Sequence, residues 1–197
     1  MGPFPPTATD LTGVLASTGA ASADMLVASV TANACVNMAK ALIQQGITDS
    51  KKIVSPPLCL NGQVAAGLGG DFPKWTYLIA SSLFGDTTDP GMIEYMKLAQ
   101  TYSTPANAPD PWNIVDFGQL MPVDTILNQV GYAHLTPAAI LAAVKSFKGP
   151  QALGAPQLEC GYNPSAPGVC NNRSQFFTYG GKNQWVKAAG WTQPPNQ

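Results

Sequence analysis

Short apolar runs of strand length alternate along this chain with amphipathic segments of helical period. The apolar runs are MLVASV at residues 25–30, KKIVSPPL at 51–58 and WTYLIASS at 75–82. A continuous apolar run of this length is typical of a strand in a parallel sheet that is covered on both faces. The alternation of strands with helices predicts an α/β domain built in layers on a parallel sheet.

The segments between the runs carry helix start and stop signals. Asp10 is a plausible cap for a helix from Leu11 to about Thr18, and a second helix ends at Gly46. NGQVAAGLGG predicts a weak helix, and Thr88 or Asp89 caps another at about 91–102. A long helix is expected at about 112–130, kinked by Pro122. STPANAPDP predicts a loop. Thr136 is expected to cap a helix over AAILAAVKSF, and SQFFTYGG is the best candidate for a late strand.

Composition narrows the class of protein. The 197 residues are 45% hydrophobic and only 11% charged, with a formal net charge of -1, whereas an average soluble domain is about 25% charged. The absence of a basic stretch argues against a nucleic-acid partner, and no apolar run reaches the roughly 20 residues of a membrane helix. The low charge favours a secreted or cell-surface protein, and the opening MGPFPPTATD, which lacks a signal-peptide core, favours a truncated start.

Residues suited to catalysis are sparse. His134 is the only histidine, so no histidine cluster exists for a metal, and it reads as an exposed residue ahead of a capped helix. Glu94, Asp116 and Asp124 lie in predicted helices without a partner at a suggestive spacing. GLGGDF is not a dinucleotide-binding motif, and no phosphate loop with a lysine is present. We therefore expect no enzyme activity, no cofactor and no metal.

The four cysteines fall into two pairs. Cys160 and Cys170 bracket a turn-rich loop, which suits a hairpin-tip disulfide, while Cys35 and Cys59 each follow an apolar run. If those two strands are neighbours, Cys35 and Cys59 reach the same edge of the sheet within bridging distance. Two disulfides indicate an oxidising compartment. Free buried thiols are the alternative.

Polar residues follow the first apolar run directly. Thr31, Ala32 and Asn33 form the turn between a strand and the N-terminus of a helix. Ligands of parallel α/β sheets lie outside the carboxyl ends of the strands, and free N–H groups of a helix N-terminus suit polar or anionic ligand atoms. Simple capping of the helix by Thr31 or Asn33 is the alternative to ligand contact.

The order of these segments resembles the type I solute-binding proteins of ABC transporters, in the leucine/isoleucine/valine-binding branch. The resemblance is carried by ADMLVASVTANACVNMAKALIQQGI, KKIVSPPLCLNG and WTYLIASSLF, and it continues through DPGMIEYMKLAQTY, WNIVDFGQLMPVDTILNQVG and LTPAAILAAVKSF to SQFFTYGGKNQWVKA. It covers almost the whole chain as an order of elements without a signature motif. It implies a type I periplasmic-binding-protein fold with parallel-sheet three-layer lobes, here truncated to the C-terminal half.

The resemblance also implies a division of the chain. Residues 1–85 correspond to the α/β part of the second lobe, 86–150 to helices returning through the first lobe, and 151–197 to an extended piece back in the second lobe. The N-terminal half of the same protein is expected to be missing and to complete the ligand site.

Carried over by position, the ligand contacts of the second lobe fall on two loops. These are Thr31, Ala32 and Asn33, and then Pro57, Leu58 and Cys59 with Asn61 close behind. Amino-acid-binding members place an acid in the second loop for the ligand's ammonium, and this sequence has none there. Because a buried ammonium without a counter-charge is costly, the residues favour a less polar or uncharged ligand. The aromatics Trp75, Tyr77, Phe117 and Tyr132 are expected in the core.

The function that the resemblance implies is extracytoplasmic capture of a small organic ligand between two lobes, followed by delivery to a membrane permease of an ABC transporter. Such a protein is periplasmic or on the cell surface, with a lipid anchor expected in the full-length protein. Two alternatives remain open: a receptor ectodomain that senses a ligand through the same fold, and a flavodoxin-like enzyme.

Overall fold

Most of the chain is described by a computed structural model, which covers residues 3–5, 8–104, 110–166 and 168–193. The predicted loop at 103–111 therefore lies largely outside the described residues. By contacts between Cα atoms, the chain divides into two compact units. The first unit comprises residues 1–79 and 176–190, and the second comprises 80–175 and 191–197.

The elements follow the predicted alternation of strands and helices. The helices are α1 (Thr12–Ser17), α2 (Ala32–Gln44), α3 (Gly62–Gly67), α4 (Pro90–Tyr102), α5 (Pro111–Val130) and α6 (Pro137–Ser146). The strands are β1 (Leu26–Val27), β2 (Ile53–Ser55), β3 (Thr76–Ile79), β4 (Lys148–Gly149), β5 (Leu158–Glu159), β6 (Ser174–Gly181) and β7 (Gln184–Thr192). Short 3₁₀ helices occupy Ala20–Ser22, Pro57–Cys59 and Tyr132–His134.

A five-stranded sheet with the order β1-β2-β3-β6-β7 organises the first unit. β1 pairs with β2 in parallel, with Leu26 opposite Ile53, and β2 pairs with β3 in parallel, with Ser55 opposite Tyr77. The prediction of an α/β fold on a mostly parallel sheet is confirmed. Parallel neighbours place the carboxyl ends of β1 and β2, and the loops that follow them, at the same edge of the sheet.

The first strand is shorter and more exposed than its apolar sequence predicted. The run at 25–30 forms only the two residues of β1, and the exposed fractions of Met25 and Val27 are 61% and 71%. The expectation of a strand covered on both faces is therefore wrong for β1. An apolar run indicates side chains that are more stable when buried. β1 lies at the edge of this sheet, however, where neighbouring layers cover it only in part.

One face of the sheet stays partly uncovered. Thr76 lies on that face, because its hydroxyl meets that of Thr178 at 3.0 Å and the register places Thr76 beside Val54. The exposed or half-buried apolar side chains on this face, assigned by alternation along each strand, are Val27, Val54, Leu78 and Phe176. Ile53 and Tyr77 point to the opposite face and are buried. Parallel sheets are normally covered on both faces, so this face is suited to a further layer.

Polar side chains cap α4 and α6 where the sequence predicted, and α5 has a cap that was not predicted. α1 differs, because its N-cap is Leu11 without a side-chain capping bond and not Asp10. Asp89 accepts a hydrogen bond from the backbone N–H of Gly91 at the start of α4, and Thr136 accepts one from Ala139 at the start of α6. Asp110 does the same for α5 by accepting from Trp112. α5 continues through Pro122. Each such cap contributes about 1 kcal/mol to helix stability.

The hairpin of β6 and β7 closes the aromatic core of the first unit. Lys182 and Asn183 connect the strands with φ of 50° and 59°, as a two-residue type I′ turn requires. Behind the turn, Tyr179 donates a hydrogen bond from its hydroxyl to Asp71. Trp75 and Tyr77 are buried as expected.

The other two aromatics expected in the core differ from each other. Phe117 packs half-buried against the cluster of Met92 and Tyr95. Tyr132 is 93% exposed, so the expectation was wrong for that residue. Tyr132 opens a 3₁₀ turn directly after α5, where no neighbouring layer covers the side chain.

The second unit is built around two hydrophobic clusters. The first consists of Met92, Tyr95, Ala99, Ile114 and Leu153, and the second of Ile126, Phe147, Ala155, Leu158 and Cys160. α5 contributes to both clusters through Ile114 and Ile126. Gly118, between them on α5, lies so close to the 152 carbonyl that an added Cβ would stand 2.2 Å from its oxygen. α5 therefore needs glycine at this point.

We expect Gly118→Ala to destabilise the second unit by about 2–3 kcal/mol, because the new methyl group must displace backbone rather than a flexible side chain. Gly13→Ala is the matched control, since Gly13 lies in α1 with no atom within 4 Å of an added Cβ, and this change should stabilise by about 0.5–1 kcal/mol. Thermal and denaturant unfolding of both variants measures the difference. Equal effects would contradict the close approach.

We also expect Asp71 to affect how the stability of the fold depends on pH in the acid range. The hydrogen bond from Tyr179, supported by the N–H groups of Lys182 and Phe72, lowers the pKa of Asp71 below its ordinary value. A carboxyl group whose pKa is lowered by folding stabilises the fold at pH values above its pKa in the unfolded state. This contribution is lost as the pH falls through its pKa in the folded state. In Tyr179→Phe the pKa of Asp71 should rise, so unfolding by acid should begin at higher pH.

The measurement is a carboxyl-carbon NMR titration together with thermal unfolding between pH 2 and pH 7. Tyr102→Phe serves as the control, because the ring of Tyr102 is 84% exposed. A carboxyl titration of Asp71 that is identical in both variants would rule out the role of Tyr179.

Candidate functional site

Two loops at the carboxyl edge of the sheet hold the residues that the sequence singled out. β1 is followed by residues 28–30 and then by Thr31 at the N-cap of α2. β2 is followed by Pro56, the 3₁₀ helix Pro57–Cys59, and Asn61 at the N-cap of α3. Because β1 and β2 are parallel neighbours, both loops leave the sheet on the same side. All of these residues belong to the first unit.

Buried hydrogen bonds fix the strand ends beneath the loops. The N–H of Ala28 donates to the carbonyl of Val54 at 2.8 Å. Ser55 is fully buried, and its hydroxyl lies 3.0 Å from the carbonyl oxygen of Ala28 and 2.9 Å from that of Pro56. The hydroxyl thus links the last residue of β2 to the segment that follows β1. Sequence reasoning missed Ser55, whose only signal is a hydroxyl inside an apolar run.

The Cys35–Cys59 disulfide joins the two loops covalently. Its Cα atoms are 5.6 Å apart, and both residues are completely buried. Cys35 lies in the first turn of α2 and Cys59 ends the 3₁₀ helix. The predicted pairings Cys35–Cys59 and Cys160–Cys170 are both confirmed. The alternative of free thiols is wrong, because the chain has no free cysteine.

Thr31 and Asn33 present polar groups to solvent at this edge. Both side chains are exposed, and Thr31 makes no side-chain capping bond although it occupies the N-cap of α2. Its backbone carbonyl accepts the first helical bonds, from Ala34 and Cys35. Asn33 lies inside the first turn, one position past Ala32. The N–H groups of Ala32 and Asn33, which precede those bonds, have no partner within the helix by its geometry. Hydroxyl, amide and backbone donors thus lie together at the start of one helix.

The second loop offers a mostly apolar surface. Pro57 and Leu58 are half-buried, whereas Cys59 has no accessible surface. Asn61 is engaged within its own loop: its amide oxygen accepts from the N–H of Val64 and its amide nitrogen donates to the carbonyl of Leu58. Cys59 and Asn61 thus support the loop, while Pro57 and Leu58 supply its accessible part.

Neither of the two loops carries a charged side chain. Residues 28–34 and 56–61 contain no ionisable side chain apart from the disulfide cysteine. Across the described part of the chain, no cluster of three or more histidine, cysteine or acidic residues has the arrangement of a metal site. The arrangement can donate and accept hydrogen bonds next to an apolar wall. It offers no counter-charge to a buried ionic group.

Removing the Cys35–Cys59 bond by changing both residues to Ser should lower the free energy of unfolding by about 3 kcal/mol, as expected for a loop of this length. Amide hydrogen exchange at residues 58–61 should become faster, because only packing then holds the second loop to α2. The double Ser variant of Cys160 and Cys170 is the control, and it should leave exchange at 58–61 unchanged. Equal exchange rates in the two variants would contradict the role of the Cys35–Cys59 disulfide.

Known proteins provide an independent comparison. No curated protein matches the sequence significantly. Solved structures with the same fold include a fatty acid ABC transporter substrate-binding protein from Thermomonospora curvata, with a TM-score of 0.71 and 14% identity over 98% of this chain and 49% of that chain. A leucine-binding protein from Thermotoga maritima gives a TM-score of 0.69 with 11% identity over 97% of this chain and 51% of that chain.

A third structure is a solute-binding protein of an ABC transporter from Rhodopseudomonas palustris in complex with p-hydroxybenzoic acid, with a TM-score of 0.69 and 14% identity over 97% of this chain and 51% of that chain. The chain therefore spans about half the length of the solved proteins that it matches. Residues 2–163 match the sequence model of a family described as periplasmic binding protein. The type I fold and this match over most of the sequence agree, and the chain belongs to the periplasmic binding protein family.

Proposed function

We propose that this chain is part of an extracytoplasmic solute-binding protein and supplies one wall of its ligand site. The wall consists of the two loops joined by the Cys35–Cys59 disulfide, with Thr31, Ala32 and Asn33 on one side and Pro57 and Leu58 on the other. The exposed side chains of Thr31 and Asn33 carry this proposal, and Thr31 makes no capping bond with its hydroxyl. Polar groups that have no partner among the described residues, held beside an apolar loop, have the composition of a ligand pocket.

Asn61 and Cys59 belong to the proposed site as supports. The capping bond of Asn61 orients the start of α3, and the disulfide fixes the end of the 3₁₀ helix. Fixing both loops before a ligand arrives reduces the ordering cost of binding.

The ligand that fits these loops is small, organic and at most weakly polar where it meets the second loop. The three solved relatives are named for a fatty acid, leucine and p-hydroxybenzoic acid, so the fold accepts ligands of different polarity. In this chain the lack of a carboxylate in both loops disfavours the ammonium of an amino acid. A ligand with an apolar body and a hydrogen-bonding group near Thr31 and Asn33 is more consistent with the residues.

The opposite wall of the site, in this proposal, comes from chain beyond this sequence, namely the N-terminal half of the same protein. Ligand contact with both walls would favour a closed state through its higher affinity for that state. The closed protein would then deliver its ligand to the permease of an ABC transporter. The assignment of residues 1–85, 86–150 and 151–197 to successive passages through two lobes remains part of this proposal.

Localisation outside the cytoplasm is supported by the family and by the two disulfides, because such bonds persist in oxidising compartments. None of the helices in the described ranges is long and apolar enough to cross a bilayer. A lipid anchor on the full-length protein remains a prediction. The family and fold are those of substrate-binding proteins, and we propose a role without catalysis.

The experiment that tests the proposal is a thermal-shift screen of small organic acids, amino acids and uncharged compounds on the full-length protein, followed by calorimetry of the compounds that bind. Asn33→Ala should weaken binding of the selected compound by about 0.5–1.5 kcal/mol, the value of one neutral hydrogen bond. The melting temperature without ligand should change little, because the side chain of Asn33 is exposed and no hydrogen bond joins it to another described residue. Lys40→Ala, at an exposed position further along α2, should leave the affinity unchanged.

Two results would argue against the proposal. Equal losses of affinity in Asn33→Ala and Lys40→Ala would place the ligand elsewhere. A loss of ligand-free stability in Asn33→Ala as large as the loss of affinity would make Asn33 a structural residue of the helix start.

A further inference from the structure

A second concave site lies in the first unit, at the opposite end of α2 from the two loops. It is a cavity of about 310 Å³ between the last turns of α2, the start of β2 and the segment that leads into β3. The principal walls are Leu42, Ile43, Ile53, Leu68, Phe72 and Trp75. Ile43 is twelve residues after Thr31, which corresponds to about 18 Å along the helix axis. The cavity is therefore separate from the site at the carboxyl ends of the strands.

The inner walls of the cavity are held in place by the core. Leu42 and Ile53 are each 1% exposed, and Trp75 is 4% exposed. Phe72 packs edge-on against Tyr179 with ring centroids 5.7 Å apart. The hydroxyl of Tyr77 donates to the carbonyl of Pro73 at 2.8 Å, which fixes the segment before β3. The cavity is thus formed without a ligand, and a molecule that enters it pays little reorganisation.

The cavity also differs from the uncovered face of the sheet. Ile53 lines it and points to the covered face, whereas Val27 and Val54 point to the other. A further layer on the uncovered face would lie on the other side of the sheet from the cavity.

Two charged residues, Asp71 and Lys74, lie at the rim of the cavity, and Lys74 can donate a hydrogen bond to a ligand. Asp71 already accepts from the hydroxyl of Tyr179 and from the N–H groups of Phe72 and Lys182. Lys74 is exposed, and in the described residues its ammonium makes no hydrogen bond or ion pair, although it lies near enough to Asp71 to lower the pKa of that carboxyl. The two charges oppose each other, so the rim has no net charge that would favour an ionic ligand. Lys74 can donate a hydrogen bond to the acceptor of an uncharged ligand.

Size and lining select the class of molecule. An enclosed dry cavity of about 150 Å³ is enough for benzene, so a cavity of about 310 Å³ that is open on one side has room for a ring with a substituent. Aromatic rings pack well against other aromatic side chains, and Phe72 lines this cavity.

We propose that this cavity is a second binding site, which takes an uncharged aromatic molecule with a hydrogen-bond acceptor directed to Lys74. The apolar ring lies against the accessible parts of Ile43, Leu68 and Phe72, above the buried side chains that form the floor, Leu42, Ile53 and Trp75. This site is independent of the proposed transport ligand, because none of its lining residues belongs to the two loops.

Acetophenone is a suitable probe, because it combines one ring with one carbonyl acceptor. We expect saturable chemical-shift changes in NMR spectra of the chain, confined to the Trp75 indole and to the methyl groups of Ile43 and Ile53, with a dissociation constant of about 1 mM from the usual affinity per ligand atom. Ile43→Lys, which places a charge at the mouth, should raise the dissociation constant at least about fivefold. A lysine is well tolerated in the last turn of a helix.

Val27→Lys is the matched control. Val27 is 71% exposed and Ile43 is 63% exposed, both lie in the first unit, and a lysine on an edge strand is tolerated. This variant should bind acetophenone like the unchanged protein. Lys74→Met, which keeps the stem and removes the donor, should weaken binding about threefold through the loss of one hydrogen bond.

Shifts that do not saturate, or equal weakening by Ile43→Lys and Val27→Lys, would overturn the site and indicate general adhesion to apolar surface. Unchanged affinity in Lys74→Met would overturn the assignment of the acceptor to Lys74. Asn33→Ala should leave acetophenone binding intact, so a failure of this inference is distinguishable from a failure of the proposed transport function.

Discussion

The parallel register of β1 and β2, held at its carboxyl end by hydrogen bonds and by the Cys35–Cys59 disulfide, is the constraint on which the first unit depends. The register sets where α2 and the 3₁₀ helix begin, and the buried hydroxyl of Ser55 links the two strand ends. The covalent bond then joins the loops above that link. Without this constraint, β1 would be a two-residue edge strand with little to hold it, since pairs of short strands are marginal on their own.

The two ends of α2 present different surfaces because the surrounding elements differ. At its start, two parallel strands are followed by one loop with exposed polar side chains and one loop with a mostly apolar surface, and neither loop is charged. At its end, the start of β2 and the segment before β3 leave a gap that aromatic side chains line. A single helix thus contributes to both surfaces. Between its two ends, the side chains of Met38, Ala39 and Leu42 are buried. The helix can support two sites because its middle belongs to the core.

The sequence predicted the order and type of the elements well, because apolar period and capping residues act locally. Asp89 and Thr136 were found as caps, and the limits of β6 matched the run SQFFTYGG. The length and burial of β1 were not predictable from MLVASV, because burial depends on which layers cover the strand. The prediction that Tyr132 lies in the core was wrong for the same reason. In the site, the cysteine pairing followed from the order of strands, whereas the structural engagement of Asn61 and Ser55 depends on tertiary contacts that no local pattern reports.

The Cys35–Cys59 bond also makes assembly of the loop surface a chemical event. While the thiols are reduced, no covalent bond joins the loop after β2 to α2, and packing alone positions the loop relative to Thr31 and Asn33. Oxidation adds the covalent bond that fixes the arrangement. A chain synthesised in a reducing cytoplasm would therefore carry the residues of the surface without the bond that fixes it. Maturation of the surface then depends on the redox state of the compartment that the protein enters.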